Sequence, residues 1–576
     1  MTTTPANTDR PPDPGRVRRQ HGVVDLSDSV AARLRWGALA TCLVAIGVLG
    51  LLGILGWLPR NPDGDWFAPI EAPAQFALLA TTLLGVVLAL RWPAVAAAII
   101  ALSGVGLSVL AAVSYRPLVA VAVAMAFVLP SVALWMAWQR HESPARIAAL
   151  ALVTSGLLLG SWYAADATYD HFFGPAHPVS DTPAVDDPVI VWAWSGAVTP
   201  DGFDVVARVV DDVDRVGLRV RSEDGVVDVG PVEVDDGVAR FSVDGLAART
   251  TYDYEFTVDG TPTGVWAGSA ATFDDRRVDS VTIAVASCAR TGSNGVVYDA
   301  LRAEQPDLYV ITGDFHYSNI DRNDTAAFDR AYERTLTAPS QAALYRSVPV
   351  AYVWDDHDYS GNDGDSTAAS QPAARESYER NVAHHQLVSD RTINQAFSVD
   401  GVRIVLVDTR SARVPGETLL GAEQLAWLED ELLVSSPTHD LVVLVTPTPW
   451  IGAASENSDA WAGFAAERAQ LARFVAANDL DNLMIVGGDA HMVAIDDGTN
   501  SDYSGTGGAA MPVLQAAALD RPGSVKGGPY SHGTFPGAGQ FGLIQVDRRA
   551  DGEVVVTLEG RRYDGEHLAT YTFSPG

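Results

Sequence analysis

The chain has 576 residues, which is more than one hydrophobic core accommodates, so several domains are expected. It carries 39 basic and 71 acidic residues, for a formal net charge of −32. Nucleic-acid binding needs a positive surface, so this charge argues against a nucleic-acid-binding module. The two cysteines, Cys42 in an apolar run and Cys288 far downstream, provide no disulfide framework.

Five uncharged, apolar stretches lie within residues 33–166, after a tail formed by residues 1–32. Each has about the ~20 residues that a helix needs to cross ~30 Å of hydrocarbon. Buried helices of a soluble domain would carry polar stripes, which these stretches lack. The sequence therefore predicts a five-helix membrane bundle. The predicted spans are Trp36–Leu58, Ala72–Leu90, Trp92–Tyr115, Pro117–Gln139 and Ile147–Ala165.

The arginines predict the orientation of these spans. The segment before the first span is rich in arginine, and Arg140 and Arg146 lie in the fourth connection, whereas the first connection is acidic. Positive charge stays on the cytoplasmic side, so the N-terminus is expected in the cytoplasm and everything after Ala165 outside it. No span contains an ionisable residue between its ends, which disfavours a transporter and favours an anchor or interaction module in the cell membrane.

A polar linker is expected over residues 167–187, followed by a β-rich segment over residues 188–275. Short alternating runs separated by Asp-Gly turns predict a β-sandwich there. The stretch Leu246…Thr251-Tyr252-Asp253-Tyr254 resembles the tyrosine corner of fibronectin type III domains. This segment is interpreted as a spacer or a substrate-orienting lid.

Residues 276–576 alternate predicted strands with helices, which indicates an α/β domain. Four apolar, β-branched runs end in polar residues, at the strand ends where α/β folds place their ligands. A thiol, several carboxylates, imidazoles, a phenol and an amide are the ligands expected of a cluster of two or more metals. The four polar endings are Cys288, Gly313-Asp314-Phe315-His316-Tyr317, Asp355-Asp356-His357-Asp358 with Asn362, and Gly487-Gly488-Asp489-Ala490-His491.

Hydrolysis of a phosphate ester would use such a cluster. It needs an activated water, neutralised phosphoryl oxygens and a protonated leaving group, and two metals ~3.5–4 Å apart supply the first two. Asp314 is the natural bridging carboxylate, because Gly313 allows a tight turn at the strand end. His357 is the candidate leaving-group acid. Taken alone, Cys288 could be a buried core residue, and Asp355–Asp358 could be a solvated loop. Their occurrence together, each after a predicted strand, favours a metal site.

These residues resemble the calcineurin-like metallophosphoesterase superfamily. Two departures from its usual motifs, Ser287-Cys288 and Tyr317, match the PhoD-like alkaline phosphatase and phosphodiesterase branch. Further matches to that branch are Trp354-Asp355-Asp356-His357-Asp358, Asp408-Thr409-Arg410, Leu420-Gly421…Gln424…Trp427-Leu428, Gly488-Asp489-Ala490-His491 and Lys526-Gly527-Gly528-Pro529-Tyr530.

The resemblance implies a four-layer α/β/β/α catalytic domain that holds one ferric ion and calcium, although other divalent metals remain open. Thiolate and phenolate suit iron, and carboxylate and amide oxygens suit calcium. The implied iron ligands are Cys288, Tyr317 and His491, with Asp314 bridging. The implied calcium ligands are Asp356, Asn362 and Asp489, with the choice between Asp356 and Asn362 left open.

Other polar residues are candidates for contacts to the phosphate group. Arg410, Arg375 and Lys526 could each bind phosphate or form a surface salt bridge, and Arg410 is the one assigned to catalysis. His316 could touch phosphate or pack in the core.

The expected function is hydrolysis of phosphate mono- or diesters by a metal-bound hydroxide, carried out outside the cytoplasm by a membrane-anchored enzyme. A phospholipid headgroup or a wall polymer would be a suitable substrate. One alternative keeps the enzyme but replaces the metals with a pair that lacks calcium. The other is a membrane sensor or adhesion protein whose phosphatase-like domain is inactive, although every matched ligand position carries a residue able to coordinate a metal.

Overall fold

The computed structural model divides into two compact units, Met1–Tyr169 and Asp170–Gly576. The residues it describes are 24–25, 28–55, 68–114, 117–138, 141–142, 178–223, 225–273, 280–456, 458–521 and 523–576.

The first unit is helical. Four of the five predicted spans are helices, and the fifth, Ile147–Ala165, lies outside the described residues. Three described segments are long and apolar enough to cross a membrane: Val30–Leu49, Pro93–Ala111 and Ala120–Trp138. The helices are α1 Asp28–Leu55, α2 Ala68–Leu88, α3 Pro93–Ser114 and α4 Pro117–Trp138, and two short antiparallel strands accompany them, β1 Val24–Asp25 and β2 His141–Glu142.

Close packing joins α3 and α4. A Cβ atom on Gly104 would lie 2.5 Å from the Cβ atom of Phe127, so only glycine fits at this contact. The Ser108 hydroxyl donates a 2.8 Å hydrogen bond to the Ala120 carbonyl across the same pair of helices. Small residues and interhelical hydrogen bonds stabilise helix pairs in lipid, where the hydrophobic effect does not drive association. Large apolar side chains such as Leu102, which is 73% exposed, point outward from these helices.

The second unit contains two large mixed sheets and a smaller antiparallel one. Its strands are β3 Ile190–Thr199, β4 Gly202–Val209, β5 Arg215–Ser222, β6 Gly225–Glu233, β7 Val238–Val243, β8 Thr251–Val258, β9 Thr261–Ala271, β10 Ser280–Ala286, β11 Leu308–Thr312, β12 Val350–Val353, β13 Gln395–Val399, β14 Val402–Leu406, β15 Leu441–Thr446, β16 Leu483–Gly487, β17 Met492–Asp496, β18 Val513–Ala516, β19 Thr534–Pro536, β20 Gln540–Arg548, β21 Val554–Arg562 and β22 His567–Phe573.

Strands β10, β11 and β12 are parallel neighbours at the centre of one sheet, and β14, β15 and β16 are parallel neighbours in the other. The first sheet has the order β22-β21-β20-β10-β11-β12-β3-β4-β7, the second has the order β13-β14-β15-β16-β18-β17-β19, and the small sheet has the order β6-β5-β8-β9. Parallel neighbours end at the same edge, so residues that follow them are brought together.

The described part of the second unit also contains helices. They are α5 Val296–Ala303, α6 Thr325–Leu336, α7 Pro339–Tyr345, α8 Asp356–Tyr359, α9 Gln371–Asn381, α10 Gly421–Ser435 and α11 Ala465–Ala477, with 3-10 turns at Ser436–Thr438 and Trp461–Phe464. Along β15, Val443 packs in the core shared with the first sheet, whereas Val442 and Leu444 pack on the side of Leu428 and Leu471. A strand whose two faces are both buried has a continuous run of apolar residues in its sequence.

The strands of the β-rich segment fall into two sheets, β3-β4-β7 and β6-β5-β8-β9, as the predicted sandwich requires, but the first of them is not a separate sheet. Strands β3, β4 and β7 extend the first large sheet, because β3 pairs with β12 through Gly196 and Val350. A Cβ atom on Gly196 would lie 2.5 Å from the Val350 carbonyl oxygen, so this junction requires glycine. Only β5, β6, β8 and β9 form a sheet of their own. The Tyr252 hydroxyl accepts a 2.8 Å hydrogen bond from the Ala247 amide, as in a tyrosine corner. The boundary near residue 275 stays a prediction.

Candidate metal centre

Three ligand-type residues occupy equivalent places at strand ends. Cys288 lies two residues after β10, Asp314 two residues after β11, and Asp489 two residues after β16. Their φ angles are 61°, 55° and 61°, in the left-handed region that costs about 1 kcal/mol or more for a residue other than glycine. The same sharp turn at three strand ends directs a thiol and two carboxylates into one volume. Strain of this kind is typical of functional sites.

The glycines before the two aspartates allow the loops to approach each other. A Cβ atom on Gly313 would lie 2.5 Å from the Cβ atom of Asp355, which follows β12. A Cβ atom on Gly488 would lie 2.2 Å from the carbonyl oxygen of Thr312. Both contacts are too short for any larger residue. The Gly-Asp pairs therefore bring the ends of three strands, from two sheets, against one another.

The four residues implied as the iron site lie together. The Tyr317 hydroxyl donates a 2.6 Å hydrogen bond to Asp314 Oδ2 and lies 3.0 Å from His491 Nε2. The Cys288 thiol lies 3.5 Å from the same oxygen of Asp314. A phenol, a thiol and an imidazole thus surround one carboxylate oxygen.

Asp314 lies at the centre of the wider cluster. It belongs to three groups of residues whose ligand atoms lie within 4.8 Å of one another, and it is the member that these groups share. Its side chain is fully buried, and its second oxygen, Oδ1, has no hydrogen-bond partner among the described residues. A carboxylate between two ligand sets can bridge two metals. The three groups are Cys288–Asp314–His491, Asp314–Asp356–His357 and Asp314–Asp355–Asp489.

A fourth group extends the cluster beyond the residues that sequence reasoning found. It consists of Asp356, Asp363 and Asp459. The side chain of the predicted ligand Asn362 is exposed. The backbone amide of the next residue, Asp363, donates a 2.7 Å hydrogen bond to Asp356 Oδ2. Asp363 and Asp459 thus add two carboxylates near Asp356, and the ligand role of Asn362 stays a prediction.

Burial governs the electrostatics of the site. Desolvation and the neighbouring carboxylates Asp356 and Asp355 hold the pKa of Asp314 well above its usual value. Burial, together with the charge of Asp314, likewise raises the pKa of the Cys288 thiol. Burial also raises the pKa of Asp489 to about 6, although Lys526 opposes the shift. So many anionic groups in a buried volume are destabilised unless a cation neutralises them.

The donor set fits metal ions on these grounds. The buried oxygens Asp314 Oδ1, Asp355 Oδ2 and Asp489 Oδ2 have no hydrogen-bond partner among the described residues. Buried polar atoms are nearly always satisfied, so three such oxygens in one cluster indicate a missing ligand. Thiolate, phenolate and imidazole on one side and carboxylates on the other match a softer and a harder cation.

Arg410 is buried next to the cluster and is not exposed to solvent. It is fully buried and its Nε donates a 2.5 Å hydrogen bond to Asp355 Oδ1, while a terminal nitrogen lies 3.5 Å from Asp459. Its positive charge holds two carboxylates of the site in place, and its role in phosphate binding stays a prediction. Arg375 lies on α9, where it pairs with Glu379 at 2.7 Å and donates to the Thr392 carbonyl.

Lys526, the only lysine in the sequence, is a candidate for contact with substrate. Its ammonium group donates a 2.6 Å hydrogen bond to Asp489 Oδ1, and its side chain is 42% exposed. A cation that is both solvent-accessible and attached to the cluster can meet an incoming anion. His316 is different: it is buried, both ring nitrogens lack a partner among the described residues, and Tyr332 packs edge-on at 5.8 Å. Burial lowers the pKa of His316 to about 3, so its ring is neutral, and its contact with phosphate stays a prediction.

His357 is oriented by two contacts. Its Nδ1 lies 2.6 Å from the Asn319 side-chain oxygen, which can only accept, so Nδ1 carries the proton and Nε2 is left as the free nitrogen. Its ring stacks on the Tyr317 ring at a centroid distance of 4.1 Å. Burial lowers the pKa of His357 to about 4, against the opposing charge of Asp356.

The arrangement defines a class of protein. A buried cluster of carboxylates, imidazoles, a thiol and a phenol, set at the strand ends of two facing mixed sheets, is that of a metal-dependent hydrolase of phosphoric esters. Residues 283–513 match the family model of PhoD-like phosphatase, and the domain that holds the site is a PhoD-like phosphatase domain.

Two relatives accompany this family match. Alkaline phosphatase D of Bacillus subtilis (strain 168) is 23% identical over 304 residues, which cover 43% of this chain and 52% of the relative. The match thus spans about half the length of that relative. The solved structure of PhoD superposes with a TM-score of 0.57 at 17% identity, and covers 68% of this chain and 92% of that one. The superposition on PhoD shows that the two chains share a fold.

Proposed function

We propose that this chain is a membrane-anchored phosphoesterase that hydrolyses phosphate mono- or diesters outside the cytoplasm. The observation that carries the proposal is the position of Asp314, a buried carboxylate that three ligand groups share. One of its oxygens has no hydrogen-bond partner in the part of the chain that the structure describes. A structural aspartate would be satisfied by hydrogen bonds. The family match of residues 283–513 supports the same chemistry.

The metal proposal assigns ligands by their chemistry. Cys288, Tyr317 and His491 would hold a ferric ion, because thiolate and phenolate favour it. Asp356 and Asp489, with Asn362, would hold calcium, which prefers oxygen ligands. Asp363 is a further carboxylate within reach of that set. Asp314 would bridge the two. Bound metals supply an activated water and neutralise charge on the phosphoryl oxygens.

The protein's own residues position the substrate. Lys526 is exposed at the edge of the cluster and carries the positive charge that attracts an anionic ester. Arg410 holds Asp355 from behind, so the carboxylate next to the cluster cannot turn away. Asn319 fixes the ring of His357, whose free Nε2 is the nitrogen able to exchange a proton with the leaving group.

The location follows from the arginine distribution before and between the apolar helices, which puts the N-terminus inside and the catalytic domain outside. Intact cells that express the chain should then hydrolyse a membrane-impermeant phosphate ester added to the medium. Activity that appears only after lysis would contradict the orientation. Phospholipid headgroups and wall polymers are the esters that an enzyme so placed would meet.

The function is tested with the full chain in detergent. Hydrolysis of a chromogenic diester and monoester is measured with calcium, with chelator and in the Asp314→Asn variant. We expect metal-dependent hydrolysis that the substitution abolishes, because the shared carboxylate loses one ligand oxygen. Asp551→Asn, in an exposed turn, is the matched control and should retain activity. Elemental analysis of the purified protein identifies the metals.

Two results would lead to other functions. Activity that survives calcium removal but requires another metal would favour the phosphatase that lacks calcium. Folded, metal-loaded protein without activity on either ester would favour a membrane sensor or adhesion protein. The ratio of diester to monoester turnover then narrows the substrate class, because that preference depends on the shape of the cleft.

A further inference from the structure

A second charged pocket lies between the small sheet and the helices of the catalytic domain. It has a volume of about 640 Å³, within the range of small-molecule sites. Strands β5, β8 and β9 form one wall, and the end of α5 and the segment after α7 form the other. Four arginines line it: Arg219, Arg221, Arg302 and Arg346.

This pocket is separate from the metal centre. Arg302 and Arg346 precede β11 and β12, whereas Asp314 and Asp355 follow those strands. The pocket therefore lies at the opposite edge of the parallel strands. With strands of five and four residues and a rise of ~3.3 Å per residue, the two sites are on the order of 15 Å apart.

The charge of the lining is opposite to that of the chain. Four arginines face two carboxylates, Asp253 and Glu255, in a protein whose net charge is −32. Three of these four arginines form ion pairs with carboxylates. Arg219 pairs with Asp228 at 2.6 Å, and Arg302 pairs with Asp299 at 3.3 Å. Arg221 pairs with Glu255. Each guanidinium has five N–H donors, so these pairs leave donors available.

Arg346 differs from the other three. Within the described residues it forms no ion pair, and its guanidinium lies 5.9 Å from the centre of the buried Trp266 ring. Burial lowers the pKa of Arg346, and the charge of the neighbouring Arg302 lowers it further. Arg302 and Arg346 both line the pocket, and Arg346 has no carboxylate partner among the described residues, so an anion bound between them would be stabilised by both.

The wall that carries Arg346 is held in place. The Ser269 amide donates a 2.7 Å hydrogen bond to the Arg346 carbonyl, and the Ser269 hydroxyl donates a 3.2 Å bond to the Ser347 carbonyl. A Cβ atom on Gly268 would lie 2.5 Å from the Arg346 carbonyl oxygen, so glycine permits this contact. The strand β9 and the segment before β12 are thus joined, and a preorganised site loses less entropy on binding.

We propose that this pocket is a second anion site, which binds the diphosphate group of a small molecule between Arg302 and Arg346. The volume exceeds what a single phosphate needs, and planar guanidinium groups match phosphoryl oxygens in bidentate geometry. The diphosphate could be inorganic or part of an organic ester, and both sources present the same group to the arginines.

Binding of inorganic diphosphate to the chelator-treated full chain in detergent, followed by calorimetry, tests the site without the catalytic metals. We expect one site, at least about tenfold weaker for sulfate, which has a single anionic group. The Arg302→Gln/Arg346→Gln double variant should lose about tenfold or more in affinity. Equal affinity for a nucleoside diphosphate assigns the inorganic anion, and tighter binding of the nucleotide assigns the organic ester.

A second pair of variants avoids the risk that the double variant misfolds. Val265 lines the pocket and is 51% exposed, whereas Val226, on the other edge strand of the same sheet, is 57% exposed and lies outside it. Val265→Glu should abolish binding by repulsion, and Val226→Glu should not, with hydrolytic activity retained in both. Absence of binding to the wild type, equal binding of sulfate, or unchanged binding in Val265→Glu and the double variant would overturn the proposal.

Discussion

The Tyr317 hydroxyl donates a 2.6 Å hydrogen bond to Asp314 Oδ2, and both side chains are completely buried. The two residues are three apart in a loop, and the positive φ of Asp314 turns the carboxylate back toward the phenol. If both residues ligate a metal, as proposed, the proton of this short hydrogen bond must leave when the cation enters. Metal loading and proton release are then coupled.

Replacement of Tyr317 by phenylalanine tests that relationship. The variant keeps the ring and its stacking on His357 but loses the phenol oxygen. We expect at least about tenfold weaker metal retention, with a parallel loss of hydrolysis, because an oxygen ligand is removed. Metal content after dialysis and steady-state rates measure the two effects.

Tyr309→Phe is the matched control for that variant. The Tyr309 hydroxyl is also buried, but it has no hydrogen-bond partner among the described residues. Removal of an unsatisfied buried hydroxyl should be neutral or stabilising. Equal loss of metal in both variants would mean that the phenol of Tyr317 acts only through packing.

The role of His357 is tested through the leaving group. If His357 supplies a proton, His357→Gln should lower kcat/KM for an alkyl phosphodiester by about 100-fold, and much less for a nitrophenyl ester, whose leaving group needs no proton. The measured quantity is the ratio of the two rate constants. His567→Gln, at a side chain that is 52% exposed, should leave both unchanged. An equal loss on both substrates would assign His357 to metal binding.

The strand-end residues of the site could be recognised from the sequence because each follows an apolar run. Cys288, Asp314 and Asp489 lie two residues after buried strands, and the period of the apolar residues marks where those strands end. Asp459 does not directly follow an apolar run. It lies in a loop after β15, and only the closure of the domain brings it near Asp356. A loop without periodicity gives no signal about its spatial neighbours.

The same reason applies to the β-rich segment, whose junction with the first large sheet the sequence does not indicate. Its strands were recognisable from alternation, but their partners were not. The pairing of Gly196 with Val350 joins residues more than 150 positions apart, and nothing local to either strand indicates it. Likewise, Asn362 and Asp363 are adjacent in a polar loop, so composition alone could not show that the Asp363 carboxylate approaches Asp356.

The buried carboxyls Asp489 and Asp358 should make metal-free protein less stable as the pH rises, whereas His357, whose pKa burial lowers to about 4, acts in the opposite direction below about pH 6.5. Burial raises the pKa of Asp489 to about 6 and that of Asp358 to about 7. Both carboxyls bind protons more tightly in the folded than in the unfolded chain, whose aspartates titrate near 3.9. Their contribution to stability is therefore complete below about pH 4 and is lost as the pH rises through 6 and 7. Metal binding replaces those protons, so metal affinity should increase over the same range.

Thermal denaturation of the full chain in detergent, between pH 5 and 8, measures this dependence. With chelator, the midpoint of the catalytic unit should fall with rising pH above about 6.5, where the buried histidines no longer oppose the carboxyls, and added metal should reverse the trend. Asp489→Asn should remove the part of the change centred near pH 6 and leave the part due to Asp358. A chelated protein whose midpoint does not change across this range would show that these carboxyls ionise as freely in the folded chain as in the unfolded one.

Gly313 allows the loops that follow β11 and β12 to approach each other. Gly313→Ala should therefore disturb the site beyond the backbone strain that alanine causes at this φ angle. Gly245 has a similar φ, 74° against 87° for Gly313, but a Cβ atom there would contact nothing within 4 Å. Gly245→Ala therefore measures the conformational cost alone, about 1 kcal/mol. Gly313→Ala adds the clash with Asp355 and should cost about 1–3 kcal/mol more. Denaturant titrations compare the two, and metal content shows whether the displaced Asp355 and Asp314 still retain the cations. Equal destabilisation with full metal content would mean that the loops can separate without loss of the site, and that close contact between these two strand ends is not required to assemble it.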